Sequence, residues 1–251
     1  MEFSQSWEPR TFSLARAREK QPRGPTGVRA SFLITGTGGK VGKSTVGCAL
    51  GFALRARGLR IGVMKPAEVG CADYNGKLEA SDTRALALAA GCGLPVELMC
   101  PYRYRSATSP PAAAELDSLP PPELGRISDC FDRIAAASDL VLVESTGGLA
   151  EPLTWQTDFA DLAAALDLEV IVVIGNRPGA LNSALLSLRY AASKGLRVAG
   201  WIFNELEPAL RPGDPTTVKT LSRLTDTSCL GTMRFKEPLS IEVVEKLLLR
   251  T

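Results

Sequence analysis

The segment with the plainest chemical meaning is Gly36-Thr-Gly-Gly-Lys-Val-Gly-Lys-Ser44. It follows a short apolar run and opens a stretch with helical spacing. Small residues let successive backbone N–H groups turn inward around an anion. A helix starting at Ser44 adds further donors and the positive end of its dipole. The segment therefore reads as a phosphate loop, with Gly38, Gly39, Lys40, Val41, Gly42, Lys43, Ser44 and Thr45 as the expected nucleotide contacts. Lys43 would reach the β- and γ-phosphates, and the Ser44 hydroxyl would bind Mg²⁺. Five residues, one more than usual, separate Gly36 from the Gly42-Lys43 pair. ATP or GTP binding follows from this loop; the reaction does not.

Other chemistry-bearing residues stand where predicted strands end, the place where ligands bind in an open α/β sheet. Lys65 closes the second strand, Glu144 the third and Asn204 the fifth, while Asp82 opens a helix. A lysine beside a phosphate loop can neutralise charge on a transferring phosphoryl group. Asp82 and Glu144 suit Mg²⁺, which takes one or two carboxylates together with phosphate oxygens and waters. The amide of Asn204 can pair with a base edge. Each residue also has a plain structural alternative: a surface lysine, a helix cap at Asp82, a solvated acid at Glu144 and a turn residue at Asn204.

The elements that must hold these groups are regular from residue 30 onward. Apolar runs at 30–35, 60–64, 139–143, 169–174 and 197–203 read as five strands. Helical spacing covers 44–57, 81–90, 124–137, 159–166, 181–194, 216–224 and 240–249, with a short helix at 111–116. Ser81 is the expected N-cap of the helix it opens, and residues 67–79 read as irregular. Strands without polar alternation, separated by helices, predict βαβ units and a parallel sheet covered on both faces. The expected fold is α/β, a doubly wound, mostly parallel sheet in a single domain over residues 30–251. Residues 1–29 carry six Lys and Arg, three Pro and little apolar periodicity, and read as a disordered basic leader.

Composition bounds the chemistry. The 251 residues carry 29 Lys and Arg against 27 Asp and Glu, so bulk charge gives no reason to expect nucleic acid as a partner. The chain has no histidine, which excludes Ser-His-Asp and Cys-His catalysis and His-ligated zinc. Six cysteines form no CxxC pair and read as small buried hydrophobes in a reduced cytosol. No apolar run is long enough to span a membrane, and the first residues lack an apolar signal core. A cytoplasmic protein is expected.

Taken together, the motifs resemble the dethiobiotin synthetase family over residues 30–235. The five-spacer loop, Lys65-Pro66, Ser81-Asp82, Pro101-Tyr-Arg-Tyr104 with Ser109-Pro110, Glu144-Ser-Thr-Gly-Gly148, Gly175 with Gly179 and Asn182, and Gly200-Trp201 with Asn204 occur in the family's order. The resemblance implies a homodimeric P-loop enzyme that uses ATP and Mg²⁺ to close the cyclic urea of 7,8-diaminopelargonate with CO₂. An amine carbamate attacks the γ-phosphate, displacing ADP, to form a carbamic–phosphoric anhydride, and the second amine then attacks the carbonyl, closes the ring and releases phosphate. It further implies that Lys43 and Lys65 stabilise phosphoryl and carbamate charge, that Ser44, Asp82 and Glu144 hold Mg²⁺, and that Asn204 reads the adenine. Lys65, Gly147, Gly148 and Asn182 would meet the substrate, a diamine carbamate.

Several positions depart from the family pattern. Gly38 and Gly39 replace an Asp and a Thr, Val69 stands where a Ser is typical, and Ser145-Thr146 replaces Gly-Ala. Pro111 replaces a His, and Thr217 stands where a partner subunit's Tyr is expected. The nucleotide and metal parts are retained more fully than the diamine and carbamate parts. Two alternatives therefore accompany the synthetase reading: a paralogue activating another amine or carboxylate, and a partitioning-type ATPase switch.

Overall fold

Phe32, Leu33, Ile34 and Thr35 are fully buried, so the central strand needs apolar side chains on both faces. The computed structural model describes residues 30–208 and 214–249; the expected basic leader, residues 1–29, lies outside the described residues. The chain runs β1 (Ala30–Gly36), α1 (Lys43–Arg55), β2 (Ile61–Met64), β3 (Ala67–Glu68), β4 (Ala72–Tyr74), β5 (Lys77–Glu79), α2 (Ser81–Ala90), α3 (Val96–Met99), β6 (Tyr102–Arg103), α4 (Pro110–Asp117), α5 (Leu124–Ala136), β7 (Leu140–Glu144), α6 (Phe159–Ala165), β8 (Glu169–Gly175), α7 (Ala180–Ser193), β9 (Val198–Asn204), α8 (Asp214–Leu224), β10 (Cys229–Met233) and α9 (Ile241–Leu248).

Six strands form one parallel sheet in the order β10-β9-β8-β1-β7-β2. β1 lies between β7 and β8, so the loop that leaves its carboxyl end emerges near the middle of the sheet. Alternate side chains then serve two cores. Phe32 and Ile34 pack with Val46, Leu50 and Leu54 of α1, Leu86 of α2 and Val243 and Leu247 of α9. Leu33 belongs to the opposite layer with Ile127 and Phe131 of α5, Phe159 of α6 and Leu188 of α7. Helices cover both faces, as a doubly wound sheet requires.

The five expected strands are all present, and a sixth joins them. β10 was hidden because Gly231 and Thr232 interrupt its short apolar pattern. It is recruited by pairing with β9, with a register shift between Cys229 and Gly231. Gly200 makes that pairing possible: its φ is +155°, and a Cβ there would lie 2.6 Å from the Ser228 carbonyl oxygen. The stretch expected to be irregular holds the β4–β5 hairpin and β3, which pairs with β6. Ser81 is the first helical residue of α2 rather than its cap; Ala80 occupies the N-cap and offers no side-chain bond.

Candidate functional site

The loop between β1 and α1 is shaped by three positive-φ residues, Gly38 at φ +153°, Lys40 at φ +55° and Gly42 at φ +86°. Gly42 has a second reason to be glycine, because a Cβ there would meet Asn204 Nδ2 at 2.1 Å. Asn204 closes β9 and donates through Nδ2 to the Val41 carbonyl oxygen at 2.9 Å. Its amide thus supports the loop from below, a role the sequence reading did not assign to it. Val41 is fully buried, whereas Gly39 and Lys40 in the loop and Thr45 on the first turn of α1 are exposed.

Lys43 begins α1 and is buried; its Nζ lies 3.3 Å from the Gly38 carbonyl oxygen, to which it donates. Burial pushes its ammonium below the ordinary lysine value, with Glu144, Asp82 and Glu151 opposing the shift and Lys65 adding to it. An anion in the loop would relieve this cost, since it favours the charged form.

Around Lys43 the expected charged residues converge. Lys65 follows β2, is 4% exposed and forms ion pairs with Asp82 and with Glu144, the latter at 3.2 Å. Burial pulls the Lys65 ammonium down, but Glu144, Asp82 and Glu68 more than offset that and hold it above the ordinary value. Glu144 ends β7, level with Ile34 of β1, and is 1% exposed. Its Oε1 also accepts from Ser44 Oγ at 2.7 Å. Its Oε2 is buried and has no partner among the described residues. A buried carboxylate oxygen without a donor, beside a hydroxyl and a second carboxylate, is a hard oxygen set suited to a divalent cation.

The remaining expected residues divide. Gly148 lies against the start of the loop, where a Cβ would be 3.1 Å from the Gly36 carbonyl oxygen, and Gly147 is covered by the Glu151 side chain. Ser145 Oγ donates to the Gly147 carbonyl oxygen at 2.8 Å and shares a hydrogen bond with the Thr35 hydroxyl at 3.1 Å, shaping the turn after Glu144. Asn182 is exposed on the first turn of α7, and among the described residues no hydrogen bond or ion pair joins it to the charged cluster. Val69 is partly buried and packs against a hydrophobic core.

Three residues were missed. Arg177, after β8, places a guanidinium nitrogen 3.0 Å from where a Gly38 Cβ would stand. Glu151 lies over Gly147 and bears on Lys43 electrostatically. Glu68 is 2% exposed and binds the first turn of α2. Arg177 was detectable as a cation just past a strand end. Glu68 and Glu151 carried no spacing signal, because their partners lie elsewhere in the fold.

Comparison with known proteins decides the family. A family model described as an AAA domain matches residues 30–242. A protein named ATP-dependent dethiobiotin synthetase BioD, from Anaeromyxobacter sp. (strain K), is 39% identical over 193 residues, covering 77% of this chain and 84% of its own length. One of the same name from Ralstonia nicotianae is 37% identical over 210 residues, covering 82% and 89%. The chain belongs to the dethiobiotin synthetase family. Solved structures share the fold of this family member at low identity. A ParA family ATPase from Chlorobium tepidum TLS has a TM-score of 0.53 at 15% identity, covering 88% of this chain and 98% of its own. A plasmid partition protein from Borrelia burgdorferi has 0.54 at 11%, covering 88% and 99%. These two solved structures are thus alike in fold, whereas the proteins named dethiobiotin synthetase are alike in sequence. No helix among the described residues is long and apolar enough to cross a membrane.

Proposed function

We propose that this chain is an ATP-dependent dethiobiotin synthetase, a cyclo-ligase that closes the ureido ring of 7,8-diaminopelargonate with CO₂. The observation that carries the reading is the cluster of Lys43, Lys65, Ser44, Asp82 and Glu144 at the mouth of the phosphate loop. It occurs in a chain 37–39% identical to proteins named for that activity. A reaction between an anionic carbamate and an anionic phosphate needs positive charge more than a proton shuttle. Two buried lysines supply it, and the absence of histidine is no obstacle.

Each residue then has a part. The loop amides and Lys43 hold the β- and γ-phosphates and keep the γ-phosphate oriented. Lys65 faces the carbamate and phosphoryl oxygens, close enough to Lys43 for their charges to interact. Ser44, Asp82 and Glu144 hold Mg²⁺, which when bound supplies further charge neutralisation at the phosphates. Asn204 reads the adenine besides bracing Val41, while Gly147, Gly148 and Asn182 contact the diamine carbamate. In ring closure the second amine attacks the carbamic carbonyl and displaces phosphate, which can take up the amine proton; the chain's part is to orient the amine and to neutralise the departing phosphate. Cytoplasmic location and a homodimer, in which the α7 start of one subunit serves the other's substrate carboxylate, complete the reading.

The open space at Gly39 and the core-facing Val69 favour one second reading: activation of a different amine or carboxylate by the same ATP site. One assay separates the two. Phosphate release from MgATP is measured with and without 7,8-diaminopelargonate and bicarbonate, and dethiobiotin is sought by mass. Diamine-dependent release with matching product supports the synthetase. Nucleotide binding without any diamine response overturns it in favour of another substrate.

A further inference from the structure

Glu68 sits on β3, far in sequence from the residues it serves. Both of its carboxylate oxygens are engaged by the first turn of α2. Oε1 accepts from the Asp82 N–H at 2.9 Å and from Ser81 Oγ at 3.4 Å. Oε2 accepts from the Thr83 N–H at 3.0 Å and from Thr83 Oγ1 at 2.7 Å. The first N–H groups of any helix lack intrahelical acceptors. α2 has no side-chain cap of its own, so this buried carboxylate performs that task from another strand. A carboxylate is the strongest choice there, being both a charge-assisted acceptor and a complement to the helix dipole.

What this turn displays is Asp82, whose carboxylate pairs with Lys65. β3 is held in turn from the other side. Thr146, two residues past Glu144, donates its hydroxyl to the Ala67 carbonyl oxygen, and β6 pairs along β3 with Glu68 opposite Arg103. The short strand therefore links the two acids of the cluster: its backbone is tied to the Glu144 turn and its side chain to the Asp82 turn. The charge of Glu68 also helps to hold the Lys65 ammonium.

We propose that Glu68 is a positioning residue for the divalent-cation site, a buried carboxylate that caps α2 and thereby sets where Asp82 stands relative to Lys65 and Glu144. The inference rests on the reading that Asp82 and Glu144 hold Mg²⁺. A cap with no such role would affect only the stability of the helix.

The test titrates a non-hydrolysable ATP analogue into the full chain over a series of MgCl₂ concentrations, with no diamine present. Glu68→Gln presents an amide nitrogen to backbone donors and should displace the turn. The magnesium concentration that gives half of the metal-dependent gain in affinity should rise about tenfold, the usual cost of losing an outer partner of a metal ligand. Affinity without magnesium should stay within about twofold, because Glu68 bonds to no residue of the phosphate loop. Asp82→Asn should raise the same midpoint, and the double variant should add little to it, since Glu68 acts through Asp82. A lowered melting temperature with an unchanged magnesium midpoint in Glu68→Gln, while Asp82→Asn shifts, overturns the inference alone. An unchanged midpoint in Asp82→Asn removes the metal reading and this inference with it. Should Glu68→Gln not fold, Thr83→Val removes one of the four bonds; a rise of about twofold supports the proposal and no change overturns it. The readout is binding, so absence of synthetase turnover in the wild type would leave this test intact.

Discussion

Ser44 Oγ donates to Glu144 Oε1 at 2.7 Å across 100 positions of sequence, tying the first turn of α1 to the end of β7. The same oxygen accepts from Lys65 Nζ at 3.2 Å, so three elements meet at one carboxylate. Glu144→Gln keeps the shape and removes the charge. Magnesium-dependent phosphate release should fall at least about 100-fold, while metal-free nucleotide binding changes by less than about threefold. Parallel activity and binding titrations check this; retained turnover would dismiss Glu144 from the site.

Lys43→Ala should abolish nucleotide turnover, with a loss of at least about 1,000-fold, because no other buried cation begins α1. Circular dichroism should show the fold retained. Wild-type turnover in this variant would remove the phosphate-loop assignment.

The charge state of Lys43 also leaves a mark on stability. Burial lowers its value in the folded protein below the ordinary 10.5. The native state therefore sheds this proton before the unfolded chain does, and stability gains as pH rises through the window below 10.5. Wild-type stability relative to Lys43→Met should rise as pH climbs from the lowered native value toward 10.5. Urea unfolding across that range checks the sign, and ATP should weaken the trend by favouring the ammonium.

Lys65→Met leaves Glu144 and Asp82 facing each other without their shared cation. Breaking a buried pair costs about 3–5 kcal/mol, and the half-exposed Asp82 reduces this to about 2 kcal/mol. If the two acids hold Mg²⁺, adding MgCl₂ should recover part of the loss, and more in the variant than in the wild type. Unfolding with and without magnesium decides it.

Gly42→Ala meets two obstacles, a left-handed φ and the Asn204 amide. It should cost about 2–3 kcal/mol and weaken ATP binding more than tenfold. Asn204→Ala alone should cost about 1 kcal/mol for the lost bond to Val41. In the double variant the clash is gone but the φ strain stays, so the combined loss should be smaller than the sum. Strict additivity in a double-mutant cycle would argue against contact between the two.

The fold class could be read from the sequence because strands buried on both faces must be continuously apolar, and five of the six were. β10 was the exception: Gly231 and Thr232 weaken its pattern, and only pairing with β9 makes it a strand. The phosphate loop was legible for a related reason. Its function needs a particular run of small residues between a strand and a helix, and that run is contiguous. Lys65, Glu144 and Asn204 could be singled out because a parallel sheet gathers the carboxyl ends of its strands at one edge, and Asp82 because it is an acid opening a helix.

What those residues do to one another belonged to the tertiary structure. Nothing local distinguishes Glu68 from a solvated acid; it becomes a cap because β3 passes beneath a helix that lacks one. Ser81, which has the composition of a cap, lost that place because the turn's donors already had a buried carboxylate. Asn204 could be seen as a polar group at a strand end, but its hold on Val41 depends on β9 running under the loop. Motifs whose function lies in consecutive backbone atoms are written in the sequence. Charges that act across 14 or 100 positions acquire their partners only when packing brings the elements together.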